Sequence, residues 1–331
     1  RLGVSMQPLH EHIGAEISGL NLSDADQDLV TDVLSPALEK YGLLLLRRQK
    51  AVTPQELLRF TSLFPDVDPE SARLQPFAQA DPSCIPELTV VRALGNSSNP
   101  KLCLGAKPEE NHIGREWHVD GCGITCLFAA LVPGEEAKQK RTTLWSSGHH
   151  AWELLDSHDK QLAATLQAKF GPQNVMEASV AEMYRRGART SANGLKRVQD
   201  IPTDALTESE REQRQSELNN SRRWMPLCGP IARRHPFSKK HTLWVAPIGM
   251  RHFETVDEEA SRDLLERLLL PGTSGAAVYT HEWQEGDVVI WDNRSTLHST
   301  TPVVEGEQLM YQVFLRTQAP MLPPDECEAL N

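Results

Sequence analysis

Three residues in this sequence have the types and the spacing of a metal site. His118 and Asp120 are separated by one residue, and His298 lies far downstream. Because residues i and i+2 of a β-strand project from the same face, His118 and Asp120 can take two neighbouring positions around one ion. A histidine on a distant strand supplies the third ligand and leaves three octahedral positions open. Two imidazoles and one carboxylate with open positions are typical of non-haem Fe(II).

The residues around these ligands strengthen the metal interpretation. A His-x-Asp pair is a weak signal by itself, because any strand can carry ordinary hydrogen-bonded residues in that order. Here Trp117 precedes the pair, Gly121 and Gly123 follow it, and the segment 291–293 (Trp-Asp-Asn) lies five residues before the distal histidine. A motif predicts a site only together with its structural context. We therefore predict His118, Asp120 and His298 as the metal ligands and as the catalytic centre.

Two cysteines offer a competing metal class. Cys122 and Cys126 fall on the same period-2 face as His118 and Asp120 if the strand continues through both glycines. Mixed nitrogen, oxygen and sulfur ligands can bind zinc. Glycines in a strand often bend it away from regular alternation, which argues against this set.

Composition excludes several classes of partner. The chain of 331 residues has 34 basic and 45 acidic side chains, a formal net charge of −11. An acidic chain is a poor ligand for nucleic acid or an anionic membrane, and no apolar run reaches the roughly 18 residues that span a bilayer. Six cysteines do not make a dense disulfide framework, so we expect a cytoplasmic protein. The sequence starts at Arg1 without Met, which leaves an upstream targeting segment open, and homo-oligomer formation also stays open.

The pattern of elements predicts a mainly β fold with flanking helices. A helix is expected from Ser23 to Gly42, followed by a buried central strand at Leu43–Leu46. A capping box begins a second helix at Thr53, and residues 65–87 have the composition of a surface loop. Strands are expected at three downstream positions: Ala277–His281, Val288–Trp291 and Leu309–Leu315. Together these elements favour one domain over 1–331, built as a distorted double-stranded β-helix, or jelly roll, with its site in the open mouth.

Two segments have the character of lids. Residues 95–114 form a long Gly/Asn/Pro-rich loop that contains His112, and residues 181–223 are a charged stretch with few large apolar side chains. The second is most simply a solvated helical insertion. Because long loops in compact domains often cover a site, we expect both segments to close over the mouth.

The motifs together resemble the taurine/chlorophenoxyacetate dioxygenase (TauD/TfdA-like) family of Fe(II)- and 2-oxoglutarate-dependent oxygenases. The resemblance covers most of the chain and implies iron on the three ligands, with 2-oxoglutarate and O₂ as co-substrates. It also implies that Thr143 contacts the 2-oxoglutarate carboxylate. The segments that carry it are Ile13–Ile17 with Gly19 and Leu20, the strand at 42–49, Trp117–Asp120, Thr142–Ser147, Arg234–Pro236, and Gly286–His298.

The sequence departs from the family where an arginine pair is expected after the distal histidine. The family's first arginine holds the distal carboxylate of 2-oxoglutarate, and the second commonly contacts substrate; here Gln308 and Gln312 occupy those positions. Glutamine lacks the charged fork that arginine offers a carboxylate. Either a relocated base such as Arg316 or Arg251 replaces the lost cation and 2-oxoglutarate still binds, or 2-oxoglutarate is not the co-substrate and the substrate itself or another reductant supplies the electrons.

The substrate is expected to be a small, polar aliphatic molecule, such as an amino or carboxylic acid. Four residues are predicted to contact it at the mouth of the barrel: Gln312, Met310, Arg294 and His112. A non-catalytic family member that binds a ligand without oxidising it is the alternative from another functional class. Three retained metal ligands argue against that alternative.

Overall fold

The computed structural model describes residues 3–50, 52–78, 115–121, 123–132, 142–170, 208, 211–212, 228–244, 250–300 and 309–324. Strands and helices are numbered below in chain order. Among these residues, no helix has both the length and the apolar character that crossing a bilayer requires.

The largest sheet has seven strands. Their order across the sheet is β1, β2, β3, β14, β6, β16, β4, and only the β2–β3 pair is parallel. The four Leu residues of β3 are fully buried, because the strand is covered on both faces. The bounds are β1 Ser5–Pro8, β2 Ala15–Ser18, β3 Leu43–Leu46, β4 Arg73–Ala78, β6 Gly123–Leu131, β14 Val288–Asp292 and β16 Leu309–Arg316.

A four-stranded antiparallel sheet faces the large one. Its order is β13, β7, β15, β5, with bounds β5 Arg115–His118, β7 Thr142–Ser147, β13 Val278–Glu282 and β15 Thr296–Thr300. Two smaller sheets extend this side of the fold. One contains β12 Met250–Phe253, β8 Gln167–Phe170 and β9 Cys228–Pro230, and the other contains β10 Ala232–Arg234 and β11 His241–Leu243.

Six α-helices flank the sheets in the described part of the chain. Their bounds are α1 Gln27–Leu29, α2 Ser35–Tyr41, α3 Pro54–Ser62, α4 Gly148–Glu153, α5 Ser157–Thr165 and α6 Glu258–Leu269. A π-helical segment, Val30–Leu34, joins α1 to α2. Gly42 ends α2 in the left-handed conformation at φ 72°, which a side chain would disfavour.

Three hydrophobic cores hold these layers together. The outer core lies between the large sheet and α1–α3, and it includes Leu44, Leu46, Phe60, Ile290 and Val313. The inner core contains side chains of both facing sheets: Leu43, Leu45, Leu127, Ala129, Trp145, Val289, Trp291 and Met310, together with Ile13 and Trp283. The third core joins α4–α6 to the smaller sheets and includes Leu243, Phe253, Leu265 and Leu268. Because β-strands alternate sides, the strands β3, β6, β14 and β16 contribute to the outer and inner cores in turn.

The mainly β, jelly-roll architecture predicted from the sequence is confirmed. The capping box at Thr53 is also present, with Thr53 and Glu56 each bonding the other's backbone N–H. Two expectations were wrong. The first helical turns are capped by Asp26, which accepts a hydrogen bond from Leu29, so the helix does not begin at Ser23. The 65–87 segment was expected to be a loop, but β4 forms within it, because its backbone pairs with β16 at the sheet edge.

Replacing Gly123 with alanine should destabilise the fold. A Cβ at Gly123 would lie 1.9 Å from the backbone oxygen of Leu315 on the neighbouring strand, which has no flexible end to move aside. We expect Gly123→Ala to lower the free energy of unfolding by about 2 kcal/mol or more, measured by urea denaturation. Gly275→Ala is the control, because its Cβ would meet nothing within 4 Å and only the left-handed backbone opposes it, at about 1 kcal/mol. Equal losses in the two variants would contradict the close approach of β6 and β16.

Candidate metal centre

His118 and His298 face each other across neighbouring strands. β5 and β15 pair antiparallel with His118 directly opposite His298, and the ring centroids lie 4.0 Å apart. The chain neighbours Val119 and Leu297 are buried in the third core. Since successive side chains alternate between the two sides of an extended chain, this packing turns both imidazoles toward the space between the sheets.

Asp120 completes the group from a turn rather than from a strand. β5 ends at His118, and Gly121 then adopts a φ of 114°, so the prediction that His118 and Asp120 share one strand face is wrong. The turn nevertheless brings Asp120 Oδ1 to 3.7 Å from His118 Nε2, and Oδ2 to 3.4 Å from His298 Nε2. The sequence did not reveal that Asp120 lies in a turn, because Gly121 is the only residue type beside it that indicates the end of a strand.

Asn293 fixes the Asp120 turn to the large sheet. Its side-chain oxygen accepts hydrogen bonds from Asp120 N at 3.0 Å and from Trp291 Nε1 at 3.1 Å. Its amide nitrogen donates to Gly123 O at 3.0 Å and to Thr125 Oγ1 at 2.9 Å. The Asn293 side chain, which is 1% exposed, makes all four of these hydrogen bonds. Its polar atoms are therefore fully hydrogen-bonded, and they join the end of β14 to the start of β6.

Two side chains hold the Asp120 carboxylate itself. Thr125 Oγ1 donates to Oδ2 at 3.1 Å, and Gln312 Nε2 donates to the same oxygen at 3.3 Å. Thr125 and Gln312 are both buried. Sequence reasoning had Gln312 as a substrate contact and did not single out Thr125 or Asn293. The Trp-Asp-Asn segment was the only signal for Asn293.

The donor set suits a divalent transition metal. The ligand atoms of His118, Asp120 and His298 all lie within 4.8 Å of one another. Adjacent ligands of an octahedral ion with bonds of about 2.1 Å are about 3 Å apart, so small movements would bring these three atoms onto one face of the ion. His118 is 1% and His298 4% exposed, and burial of a carboxylate beside two imidazoles is costly without a partner charge.

A second group of metal-ligand types lies on the surface and has other partners. Asp156 caps α5 by accepting from Asp159 N at 2.8 Å, and Asp159 forms an ion pair with Arg267. His158 is largely exposed. These contacts explain the group as helix capping and surface pairing.

Comparison with known proteins identifies the family of this chain. The family described as "Taurine catabolism dioxygenase TauD, TfdA family" matches residues 5–314. The chain belongs to the TauD/TfdA family. An alpha-ketoglutarate-dependent xanthine dioxygenase of Neurospora crassa is 24% identical to it, over 95% of this chain and 86% of that protein. The (S)-phenoxypropionate/alpha-ketoglutarate-dioxygenase of Sphingobium herbicidovorans is also 24% identical, over 89% and 88%.

A solved structure shows the same fold. The crystal structure of AAD-2 in complex with Mn(II) and N-oxalylglycine superposes with a TM-score of 0.69 at 17% identity, covering 98% of this chain and all of that one. This TauD/TfdA-family member is a non-haem Fe(II)-dependent dioxygenase that uses 2-oxoglutarate and O₂, as the family resemblance implied.

Thr143 lies on the inner face of the four-stranded sheet. It pairs in register with His281 on β13 and Thr300 on β15, and its hydroxyl accepts a hydrogen bond from Trp283 Nε1 at 2.9 Å. Thr143 is 2% exposed. In this TauD/TfdA-family chain, Trp283 therefore fixes the hydroxyl that the resemblance assigns to 2-oxoglutarate, and sequence reasoning did not single out Trp283.

A buried polar cluster lies beside Thr143. His281 Nε2 is 3.1 Å from Asp287 Oδ2, and both side chains are 1% exposed. Arg47 Nη1 also donates to Asp287 Oδ2, at 2.8 Å. The hydroxyl of Tyr279 lies 3.0 Å from His281 Nδ1, and burial raises the pKa of Tyr279 to about 12. Arg47 and Asp287 place charge near one end of the interior, and both fall within the segments that carry the family resemblance, whereas Tyr279 and His281 do not.

Arg294 has structural partners instead of facing an open mouth. Its guanidinium donates to both carboxylate oxygens of Asp292, to Asp66 and to Ala319 O, and the side chain is 3% exposed. Burial by itself raises the pKa of Asp292, but Arg294 and a hydrogen bond from His235 outweigh it, so that the pKa lies well below its usual range. The predicted substrate contact by Arg294 is not supported, because its donors are already engaged.

Arg316 lies at the wrong end of the interior to replace the missing arginine beside Thr143. On β16 it pairs with Gly123, near the Asp120 turn, whereas Met310 pairs with Ala129. Ala129 exchanges backbone hydrogen bonds with Gly286 and Asp287, on the side of Thr143. Arg316 lies six strand positions from Met310, a distance of about 20 Å. The predicted 2-oxoglutarate contact by Arg316 is therefore not supported by this geometry.

The remaining sequence predictions have different outcomes. Met310 is fully buried in the inner core, on the face that carries Gln312. Cys126 is buried in the outer core, on the opposite side of β6 from Thr125, so it cannot share a zinc site with His118 as the alternative required. His112, Gln308, Cys122, the 95–114 loop and nearly all of 181–223 lie outside the described residues, as does the Arg251 side chain.

Alanine substitution at the three ligands should abolish metal binding. We expect the His118→Ala, Asp120→Ala and His298→Ala variants to lose stoichiometric Fe(II) uptake and O₂ consumption. Each variant keeps only two of the three side chains that would bind one face of the ion. Anaerobic Fe(II) titration and an oxygen electrode measure the two effects. His158→Ala, in the exposed acidic group, should behave as wild type. Fe(II) uptake and activity retained in His298→Ala would remove His298 from the ligand set.

Proposed function

We propose that this dioxygenase holds Fe(II) on His118, Asp120 and His298, binds 2-oxoglutarate beside Thr143, and oxidises an aliphatic C–H bond of a small polar molecule. The observation that carries the proposal is the convergence of the three ligand side chains, within 4.8 Å, at the edge of a buried aromatic interior. When bound, Fe(II) supplies O₂ activation, coupled to decarboxylation of 2-oxoglutarate to succinate.

The aromatic side chains around His298 keep water away from the reacting atoms. The Trp291 ring centroid lies 5.1 Å and the Trp145 centroid 6.5 Å from that of His298, and both tryptophans are at most 1% exposed. Removing water strengthens each electrostatic contact inside the site and limits side reactions of an activated oxidant. In this proposal the two tryptophans therefore form an apolar wall that excludes water from the iron site.

The Thr143 hydroxyl is oriented to donate toward a carboxylate. Because Trp283 Nε1 donates to Thr143 Oγ1, the hydroxyl hydrogen is available for another acceptor. A hydrogen bond to an ionised carboxylate is stronger than one between neutral groups. This supports the 2-oxoglutarate contact that the family resemblance implies, on the side of the interior where Asp287 and Arg47 form a buried ion pair.

The substrate class follows from the charge near the ligands. A neutral amide, Gln312, stands where the family often has a substrate-binding arginine, and it already donates to Asp120. A sulfonate therefore finds no cation at that position. The relatives named above act on xanthine and on a phenoxypropionate, which is consistent with a small polar substrate that need not be a sulfonate.

The direct test is whether 2-oxoglutarate binds and turns over. Anaerobic addition of Fe(II) and 2-oxoglutarate should give the weak visible charge-transfer band of a keto acid chelate. With xanthine, 2-phenoxypropionate and simple amino or carboxylic acids as a panel, the accepted substrate should release one succinate for each product molecule. Product formation without succinate would contradict the role of 2-oxoglutarate. Asp120→Ala, which lacks the metal carboxylate, is the negative control for both readouts.

Restoring an arginine at position 308 should strengthen co-substrate binding. Gln308→Arg offers the distal carboxylate a charged, bidentate partner, and such a pair is worth about 2 kcal/mol or more when buried. We expect the Kd of 2-oxoglutarate, measured from the charge-transfer band, to fall by about tenfold or more. Gln308→Met supplies a side chain without charge and should not lower the Kd. An unchanged Kd in Gln308→Arg would mean that another group already holds the distal carboxylate.

A further inference from the structure

We propose that Gln312 is a positioning residue for the metal-binding carboxylate of Asp120, and that it is not a substrate contact. The inference rests on the proposed iron site, since it concerns how one of its ligands is held. It assigns a role to a position where the sequence has lost the arginine that the family uses for substrate.

The sheet register directs Gln312 toward the ligand. On β16, Gln312 lies opposite Leu127 of β6, two strand positions from Thr125, and its inward neighbour Met310 is part of the inner core. Its side chain is 8% exposed, and Nε2 lies 3.3 Å from Asp120 Oδ2. The contact therefore joins the middle of the sheet to the Asp120 turn, across 192 residues of sequence.

The groups next to Asp120 determine which atom donates and which accepts in each hydrogen bond to its carboxylate. Asn293 donates to Thr125 Oγ1 at 2.9 Å, so the Thr125 hydroxyl hydrogen is directed to Asp120 Oδ2. An ionised carboxylate can only accept, which means that the Gln312 atom facing it must be the amide nitrogen. Asp120 thus accepts two side-chain donors at one oxygen, while its backbone N–H donates to Asn293.

Two donors at one oxygen would fix the plane of the carboxylate before a metal arrives. Hydrogen bonds to ligating groups orient them and tune the metal, and losing such a bond commonly costs 10-fold to 100-fold in metal affinity. A neutral amide does this without a competing charge. An arginine in the same contact would place a full positive charge against the ligand and repel the ion, which explains why an amide suits a residue whose partner is Asp120.

Cobalt binding to the metal-free protein tests this role without using activity. Gln312→Met keeps the length of the side chain and removes the donor, and Gln312→Asn shortens the amide so that it cannot reach Asp120. We expect both variants to bind Co(II) about 10-fold more weakly than wild type, with a shifted visible d–d spectrum. Thr125→Val, which removes the other donor to Oδ2, should shift Co(II) binding in the same direction.

Gln318→Met is the matched control. Gln318 is an exposed glutamine shortly after β16 whose amide donates to Val67 O at 3.2 Å, so this variant loses a comparable bond away from the metal. Its Co(II) affinity should stay within about twofold of wild type. If Gln312→Met and Gln312→Asn bind Co(II) as wild type does and instead raise the KM for substrate, Gln312 contacts substrate and the inference is overturned. If wild-type protein takes up no Co(II), the iron site itself fails, a result distinct from an unchanged affinity in the variants.

Discussion

The pairing of β5 with β15 is the constraint on which the site depends. It sets His118 directly opposite His298, and the third core holds the residues beside them. A one-residue slip of either strand would turn its histidine to the opposite face, because side chains alternate with a period of two. β15 is also paired with β7 along its other edge, through five residues in register, so a slip of β15 would break two ladders at once.

The large sheet positions the Asp120 turn, which the pairing of the two histidine strands, β5 and β15, does not fix. Asp120, which carries the carboxylate of the proposed metal site, lies in a turn after the end of β5 rather than on a strand. Asn293 at the end of β14, Thr125 on β6 and Gln312 on β16 each bind this turn, so three strands of one sheet position a ligand whose partners belong to the other sheet. A metal site shared between two sheets in this way stays aligned only if the inner core between them is well packed. The aromatic and aliphatic side chains of the inner core provide that rigidity.

The sequence was sufficient to single out the three side chains that converge within 4.8 Å, but not the way they are held. His-x-Asp, a distant histidine and the family motifs named the three residues, and hydrophobic alternation gave the buried strand at Leu43–Leu46. The turn position of Asp120 and the partner of Gln312 depend on contacts between residues more than a hundred positions apart, which local pattern cannot reveal. Arg294 combines a local partner, Asp292, with a distant one, Asp66, 228 residues away. It looks like a free cation near the motif, yet Asp292 and Asp66 bind it in the fold. The strand at Arg73–Ala78 was missed for the same reason, since its pairing with β16 outweighs a loop-like composition.

The most direct test of the account is anomalous diffraction from crystals grown anaerobically with Fe(II) and 2-oxoglutarate. We expect one strong iron peak about 2.1 Å from Nε2 of His118, Nε2 of His298 and one Asp120 oxygen, with the keto acid extending from the metal toward Thr143. An iron peak bonded to other side chains, or a keto acid that extends toward Arg316, would contradict it.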